Sequence, residues 1–184
     1  MKILELQTIL TQAQAAQKSE NFEEAKRLAY EVIAELDHSL ENTNASSLLR
    51  ANALHVLSFV CRKHGNFEEA LTLAHASLDL SEKNTVLELK STSLNMVGDA
   101  YTSLGKYDIA LEYYINELAV REECNDTSGI ANASRNIAIM CCHLGMYSKA
   151  LNNFTKALEL NQELGDKRMA GGNLVNIGNV YSFM

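Results

Sequence analysis

The side chains able to do chemistry are scattered along this sequence. Its five histidines, His38, His55, His64, His75 and His143, include no pair at metal-ligand spacing, and each reads as a surface or interface residue. The four cysteines, Cys61, Cys124, Cys141 and Cys142, contain no C-x-x-C. A reduced, cytoplasmic setting is the simplest reading. Cys141-Cys142 beside His143 suggests a thiol site, but the periodicity described below puts Cys141 at an aromatic core position, which favours packing. Gly171-Gly172 is no phosphate loop: it lies inside a helical pattern, with no Lys-Ser/Thr after it and no strand before it. Those glycines fit close approach or a locally weakened helix. No catalytic constellation, metal set or cofactor site emerges, so a non-enzymatic protein without cofactors is expected.

Composition narrows the classes further. The 16 basic and 23 acidic residues give a formal charge of −7, which disfavours nucleic-acid binding, where clustered Lys and Arg must displace phosphate counterions. No apolar run is long enough to span a membrane. The start, Met1-Lys2-Ile3-Leu4-Glu5-Leu6-Gln7, is amphipathic and lacks a signal-peptide centre. The 184 residues include no proline and no tryptophan. That excludes proline-rich linkers, disfavours sandwiches and barrels, and suits long helices, in which an interior proline costs about 3 kcal/mol.

The elements that must position any site repeat every forty residues. Gly65-Asn66-Phe67-Glu68-Glu69-Ala70-Leu71 recurs as Gly105-Lys106-Tyr107-Asp108-Ile109-Ala110-Leu111 and as Gly145-Met146-Tyr147-Ser148-Lys149-Ala150-Leu151. Glu20-Asn21-Phe22-Glu23-Glu24-Ala25 is a degenerate first copy. Seven residues before each anchor stand the small residues Ser58, Gly98 and Ala138, and Gly178 points to a further anchor just past the last residue. Each unit reads as two helices, with Leu94, Val97, Gly98 and Tyr101 on one face of a first helix. The glycine ends that helix, because it tolerates the left-handed conformation. Helices are expected near 2–18, 22–40, 46–64, 67–83, 86–104, 107–123, 128–144, 147–164 and 167–184. Thr85 with Glu88, Asp126-Thr127 and Asp166 serve as start signals. Gly98, Ala138 and Gly178, with Ala70, Ala110 and Ala150, are expected to let helices approach closely. The expected array comprises repeat one (2–44, a degenerate cap), repeat two (45–84), repeat three (85–125), repeat four (126–165) and the first helix of repeat five (166–184). Ending mid-repeat, the sequence reads as a fragment of a longer chain or as a solenoid completed by a partner.

Gly98-Asp99-Ala100-Tyr101-Thr102-Ser103-Leu104-Gly105-Lys106-Tyr107-Asp108-Ile109-Ala110-Leu111 resembles the tetratricopeptide repeat. The usual unit has 34 residues. The forty-residue length, with Glu163-Leu164-Gly165-Asp166-Lys167, is similar to the longer-repeat subgroup of Leu-Gly-Asn (Pins-type) adaptors and bacterial regulatory proteins. Departures are the missing tryptophan and proline, Glu20 in place of glycine, and Cys141 where Tyr101 and Tyr181 stand. The resemblance implies an all-α fold, a right-handed α-solenoid of about nine helices in stacked antiparallel pairs.

In that family the first helices line a concave groove. Residues 13, 10, 6 and 3 before each anchor then face inward, their spacing placing them on one stripe. They are Asn52, His55, Phe59 and Arg62; Thr92, Asn95, Asp99 and Thr102; Asn132, Arg135, Ile139 and Cys142; and Gly172, Val175, Asn179 and Ser182. Asn136 and Asn176 border the stripe. Asparagine both donates to and accepts from a peptide backbone, Arg135 suits a carboxylate, and Asp99 suits a ligand Lys or Arg. Arg135 with Asn176 is only a fragment of the two-carboxylate clamp of chaperone-binding members. The expected function is a protein-protein interaction scaffold holding a peptide or partner segment in this groove. One alternative is a regulatory or sensor segment of a larger signalling enzyme such as a nucleotide or diguanylate cyclase or a histidine kinase. The other is self-assembly, with a homodimer formed through Leu174, Ile177, Tyr181 and Phe183 of the last helix.

Overall fold

The computed structural model describes residues 3–38 and 43–184. Among them every regular element is an α-helix: α1 (Ile3–Lys18), α2 (Phe22–His38), α3 (Asn44–Lys63), α4 (Phe67–Asn84), α5 (Leu87–Ser103), α6 (Tyr107–Glu123), α7 (Thr127–His143), α8 (Tyr147–Glu163) and α9 (Lys167–Phe183). Every expected helix is present, with ends within two residues of those expected; residue 2 and residues 39–40 of the expected spans lie outside the described residues. The chain forms two compact units, Met1–Leu104 and Gly105–Met184. In the first, α1, α2 and α3 pack on one another, and α3, α4 and α5 do likewise. In the second, α7 packs against α6 and α8, and α8 against α9.

What ends α1 and α3 through α8 is a residue in the left-handed region. Glu20 has φ 60°, Gly65 79°, Thr85 52°, Gly105 71°, Asn125 54°, Gly145 70° and Gly165 71°. From Gly65 onward these positions fall every twenty residues, twice as often as the anchors evident in the sequence. At Gly65 the amide donates to the Arg62 carbonyl and the next amide, of Asn66, to Cys61 (3.2 and 2.8 Å). The same pair of bonds closes the turns at Glu20, Asn125, Gly145 and Gly165, satisfying carbonyls that the helix end would otherwise leave bare. A Cβ built on Gly65, Gly105, Gly145 or Gly165 meets nothing within 4 Å, so these glycines serve their φ and not a close contact. The turn at Thr85 has a different form: its amide donates to Ser81 at 3.0 Å and α4 runs one residue longer. Thr85 is therefore a stop and not the expected start; Val86 precedes α5 without a side-chain cap. Asp126 and Asp166 do act as starts, their carboxylates accepting from Gly129 and Met169 amides at 2.9 Å.

Small residues set the spacing of the helix pairs. Ala25, Ala70, Ala110, Ala138 and Ala150 are 0% exposed, and the buried Ser58 hydroxyl donates to the Ala70 carbonyl at 3.0 Å. Gly178 departs from this pattern. It is exposed, and a Cβ there meets nothing within 4 Å, because no described helix covers that face of α9. The same openness at Gly171 and Gly172 removes the close-approach reading for them. Cys141 is buried, as packing requires. A ring at the start of each of three second helices meets the last turn of the next helix. Phe22 lies against Phe59 and His64, Tyr107 stacks on His143 at 4.1 Å, and Tyr147 stacks on Phe183 at 6.2 Å. One buried charge is new: Glu117, 1% exposed, faces Arg121, which also holds Asp126 at 2.7 Å. Arg121 lies across Gly129, where a Cβ would collide with it.

Left-handed backbone costs a non-glycine residue about 1–2 kcal/mol, partly offset by the unfolded-state entropy of glycine. Thr85→Gly is therefore expected to stabilise the chain by about 0.5–1 kcal/mol and raise the melting temperature by roughly 1–4 °C. Asn125→Gly should gain less, because asparagine tolerates this region. Thermal unfolding followed by circular dichroism checks the order.

Candidate functional site

The stripe picked out by spacing is a distinct physical face. All twelve of its residues on α3, α5 and α7 are half-buried, between fully buried neighbours on one side and solvent on the other. Asn136 shares this environment. On α9, Gly172, Val175, Asn179 and Ser182 are exposed, while Asn176 is half-buried.

In the first unit, two candidates meet each other. Arg62 on α3 donates to Asp99 on α5 at 2.7 Å, with about a quarter of each side chain exposed. Asp99 thus already has an internal cation, where a ligand cation was expected. Phe59 lies beneath, its ring 5.7 Å from the Arg62 guanidinium carbon and 5.4 Å from the Lys63 ammonium. Asn52 spends its amide on the Leu48 carbonyl one turn back, whereas Asn95 stays half-buried on α5. His55 lines a cavity of about 270 Å³ with Gln14, Gln17, Lys18 and Val56. Burial holds the His55 imidazole below its ordinary pKa; Asp99 pulls the other way and Arg62 adds to the lowering. The α1 residues of this cavity were missed, yet Gln14 and Gln17 stand six and three residues before Glu20, the stripe positions counted from the degenerate anchor.

In the second unit, the candidates stand unpaired. Asn132, Arg135 and Asn136 on α7, and Asn176 and Asn179 on α9, spend no side-chain hydrogen bond on another described residue. The Arg135 Nε is buried and has no acceptor. Ile139 and Cys142, with Asn176 and Asn179, line a second cavity of about 170 Å³, whose other walls are His143, Phe154, Val180 and Phe183. Burial pushes the Cys142 thiol up, away from the reactive thiolate. Of the four self-association candidates, Leu174, Tyr181 and Phe183 are 55%, 65% and 68% exposed, and Ile177 is half-buried.

A family model described as the tetratricopeptide repeat matches residues 49–123 and again 89–163. Tetratricopeptide repeat protein 29 of Trypanosoma brucei brucei is 29% identical over 104 residues, which are 56% of this chain and 22% of that protein. The chain therefore spans about a fifth of the length of that relative. Among solved structures it is similar to BtubC (BKLC) from P. vanneervenii, with a TM-score of 0.81, 20% identity, and coverage of 96% of this chain and 71% of that one. It is also similar to a Rap protein complexed with competence and sporulation factor, with a TM-score of 0.81 and 16% identity over 98% of this chain and 52% of the other. At such identities the likeness is one of fold. The family matches take in more than half of the 184 residues, from α3 through α8, and the chain belongs to the tetratricopeptide repeat family.

Proposed function

We propose that this chain is a non-catalytic protein-interaction scaffold that holds an extended peptide segment bearing an acidic group on the first-helix face of its second unit. The observation that carries this reading is Arg135. Arg27, Arg50, Arg62 and Arg121 each lie within 3.5 Å of an internal carboxylate. Arg168 has no such partner but stands in solvent. Arg135 is half-buried and unpaired, flanked by the open amides of Asn132 and Asn136. A guanidinium binds a carboxylate in bidentate fashion, and asparagines satisfy the adjoining peptide groups. The solved Rap protein complex, a protein of the same fold with a bound factor, supports this use of the fold. No helix among the described residues is long and apolar enough to cross a membrane.

A second reading, self-association through α9, has its own support. Leu54, Leu94 and Ser134, the register equivalents of Leu174, are at most 8% exposed, whereas Leu174 is 55% exposed. Light scattering after size exclusion should then show a dimer that Leu174→Lys and Tyr181→Lys dissolve; a monomer at every concentration rejects it.

For the main reading, fluorescence anisotropy with pools of labelled acidic peptides, and amidated pools as controls, is the direct test. A charge-assisted bond is worth about 1.5–3 kcal/mol, so Arg135→Gln should weaken acidic-pool binding by roughly 10- to 100-fold. Binding that is indifferent to the substitution rejects the reading.

His55 predicts a pH response of the scaffold itself. Its folded pKa lies below the unfolded value of about 6.5, so in the window below pH 6.5 the unfolded chain binds more protons. Stability is then full above pH 6.5 and falls as pH drops through that window. Melting curves between pH 7.5 and 5 should show a shallower loss for His55→Gln than for the wild type; parallel losses would exclude His55 as a cause.

A further inference from the structure

The forty-residue register lets the two units be compared residue by residue. Phe59, Arg62 and Asp99 of the first unit correspond to Ile139, Cys142 and Asn179 of the second, each eighty residues on. In the first unit, a guanidinium–carboxylate pair bridges successive first helices above an aromatic ring. In the second, a thiol and an amide stand in place of the bridge, and a cavity of about 170 Å³ opens between α7 and α9. Its most buried lining residues are Phe154 and Val180, each 2% exposed. None of its lining residues is an acid, a lysine or an arginine. At its rim the Asn176 and Asn179 amides are uncommitted.

We infer that this cavity is an anchor pocket for one uncharged apolar side chain of the bound peptide, of leucine or phenylalanine size, whose backbone is held by Asn176 and Asn179. The inference rests on the peptide reading above and names the ligand more closely. Size supports it, since an apolar cavity of about 150 Å³ takes a benzene molecule. Charge supports it, since a charged group placed against Phe154 and Val180 would lose its hydration with no acid, lysine or arginine on the walls to offset the loss. Position then sets the spacing. Ile139 lies one turn from Arg135 on the same face, about 6 Å along the axis, and two residues of extended chain cover about 6.8 Å. The ligand pattern is an acidic residue with an apolar residue two positions away.

The test uses the 184-residue chain and acetylated, amidated Gly/Ser heptapeptides with one Asp and a Leu two positions on. Leu replaced by Ala, by Lys, or moved next to the Asp gives the comparison set. Anisotropy should show the spaced Leu peptide binding about tenfold or more tighter than the Ala peptide. Cys142→Phe, which fills the cavity, should abolish that preference. A measurement that needs no variant is methyl NMR with N-acetyl-leucine methylamide, which should shift the Ile139 and Val180 methyl signals. Arg135-dependent binding with no Leu preference and no methyl shifts overturns the pocket while leaving the peptide reading intact. Methyl shifts without any Arg135-dependent peptide binding support the pocket and reject that reading. Methyl signals that move with protein concentration alone overturn the pocket in favour of a second copy of the chain.

Discussion

The structure depends on a chain reversal in the left-handed region at the ends of α1 and of α3 through α8. A helix that stops one residue late turns its last side chain by about 100° around the axis. With stops at Gly65, Gly105 and Gly145, residues at fixed distances before each stop keep the same azimuth in α3, α5 and α7. That is why the half-buried stripe recurs at the same four positions on all three helices. The turn bonds hold the stop in place by tying off carbonyls that would otherwise invite another turn of helix.

A fixed azimuth separates the residues that hold the fold from those on the exposed face. The alanines and Ser58 are consumed in helix contacts, and the paired rings close the spaces between successive helices. The stripe contributes less burial, so its composition can change from repeat to repeat without altering the backbone. Arg62 with Asp99 and Cys142 with Asn179 show the extent of that freedom: one register position holds an ion pair in the first unit and a cavity wall in the second.

The helices were legible because two signals coincide at each anchor, a glycine that ends one helix and an aromatic that begins the next. Glu20, Thr85 and Asn125 carry the same conformation without the residue type that announces it, so the twenty-residue spacing stayed hidden behind a forty-residue one. Thr85 followed by Glu88 read as a start for the same reason. Gly178 shows the converse limit, since a small residue signals close packing only where a second helix lies against it. The individual members of the stripe were legible as a face. The pairing of Arg62 with Asp99, 37 residues apart, was not, because it depends on the distance between two helices. A cavity leaves still less trace in sequence. It arises from volume missing at Cys142 and Asn179 relative to another repeat, and single residues do not show that difference.

Among the arginines, Arg135 is the one least explained by folding. A half-buried guanidinium nitrogen without an acceptor loses hydration and gains no bond, a cost that an apolar side chain at the same place would not incur. Arg121 shares the unbonded Nε but not the missing counter-charge: with a fifth of its side chain exposed, it has Asp126 at 2.7 Å and Glu117 at 3.5 Å. Those carboxylates sit on or beside α6, within reach of the arginine four or five residues away. On α7 itself Asn132 stands one turn before Arg135 and Asn136 directly after it, amides that can satisfy peptide groups but cannot neutralise a cation. A carboxylate brought from outside would remove the imbalance, and the cavity walled by Ile139, Phe154 and Val180 one turn along α7 limits what can accompany it. On the proposed reading, charge at one turn and an apolar hollow at the next would discriminate on two independent grounds, so that a peptide meeting only one requirement would forfeit the contribution of the other.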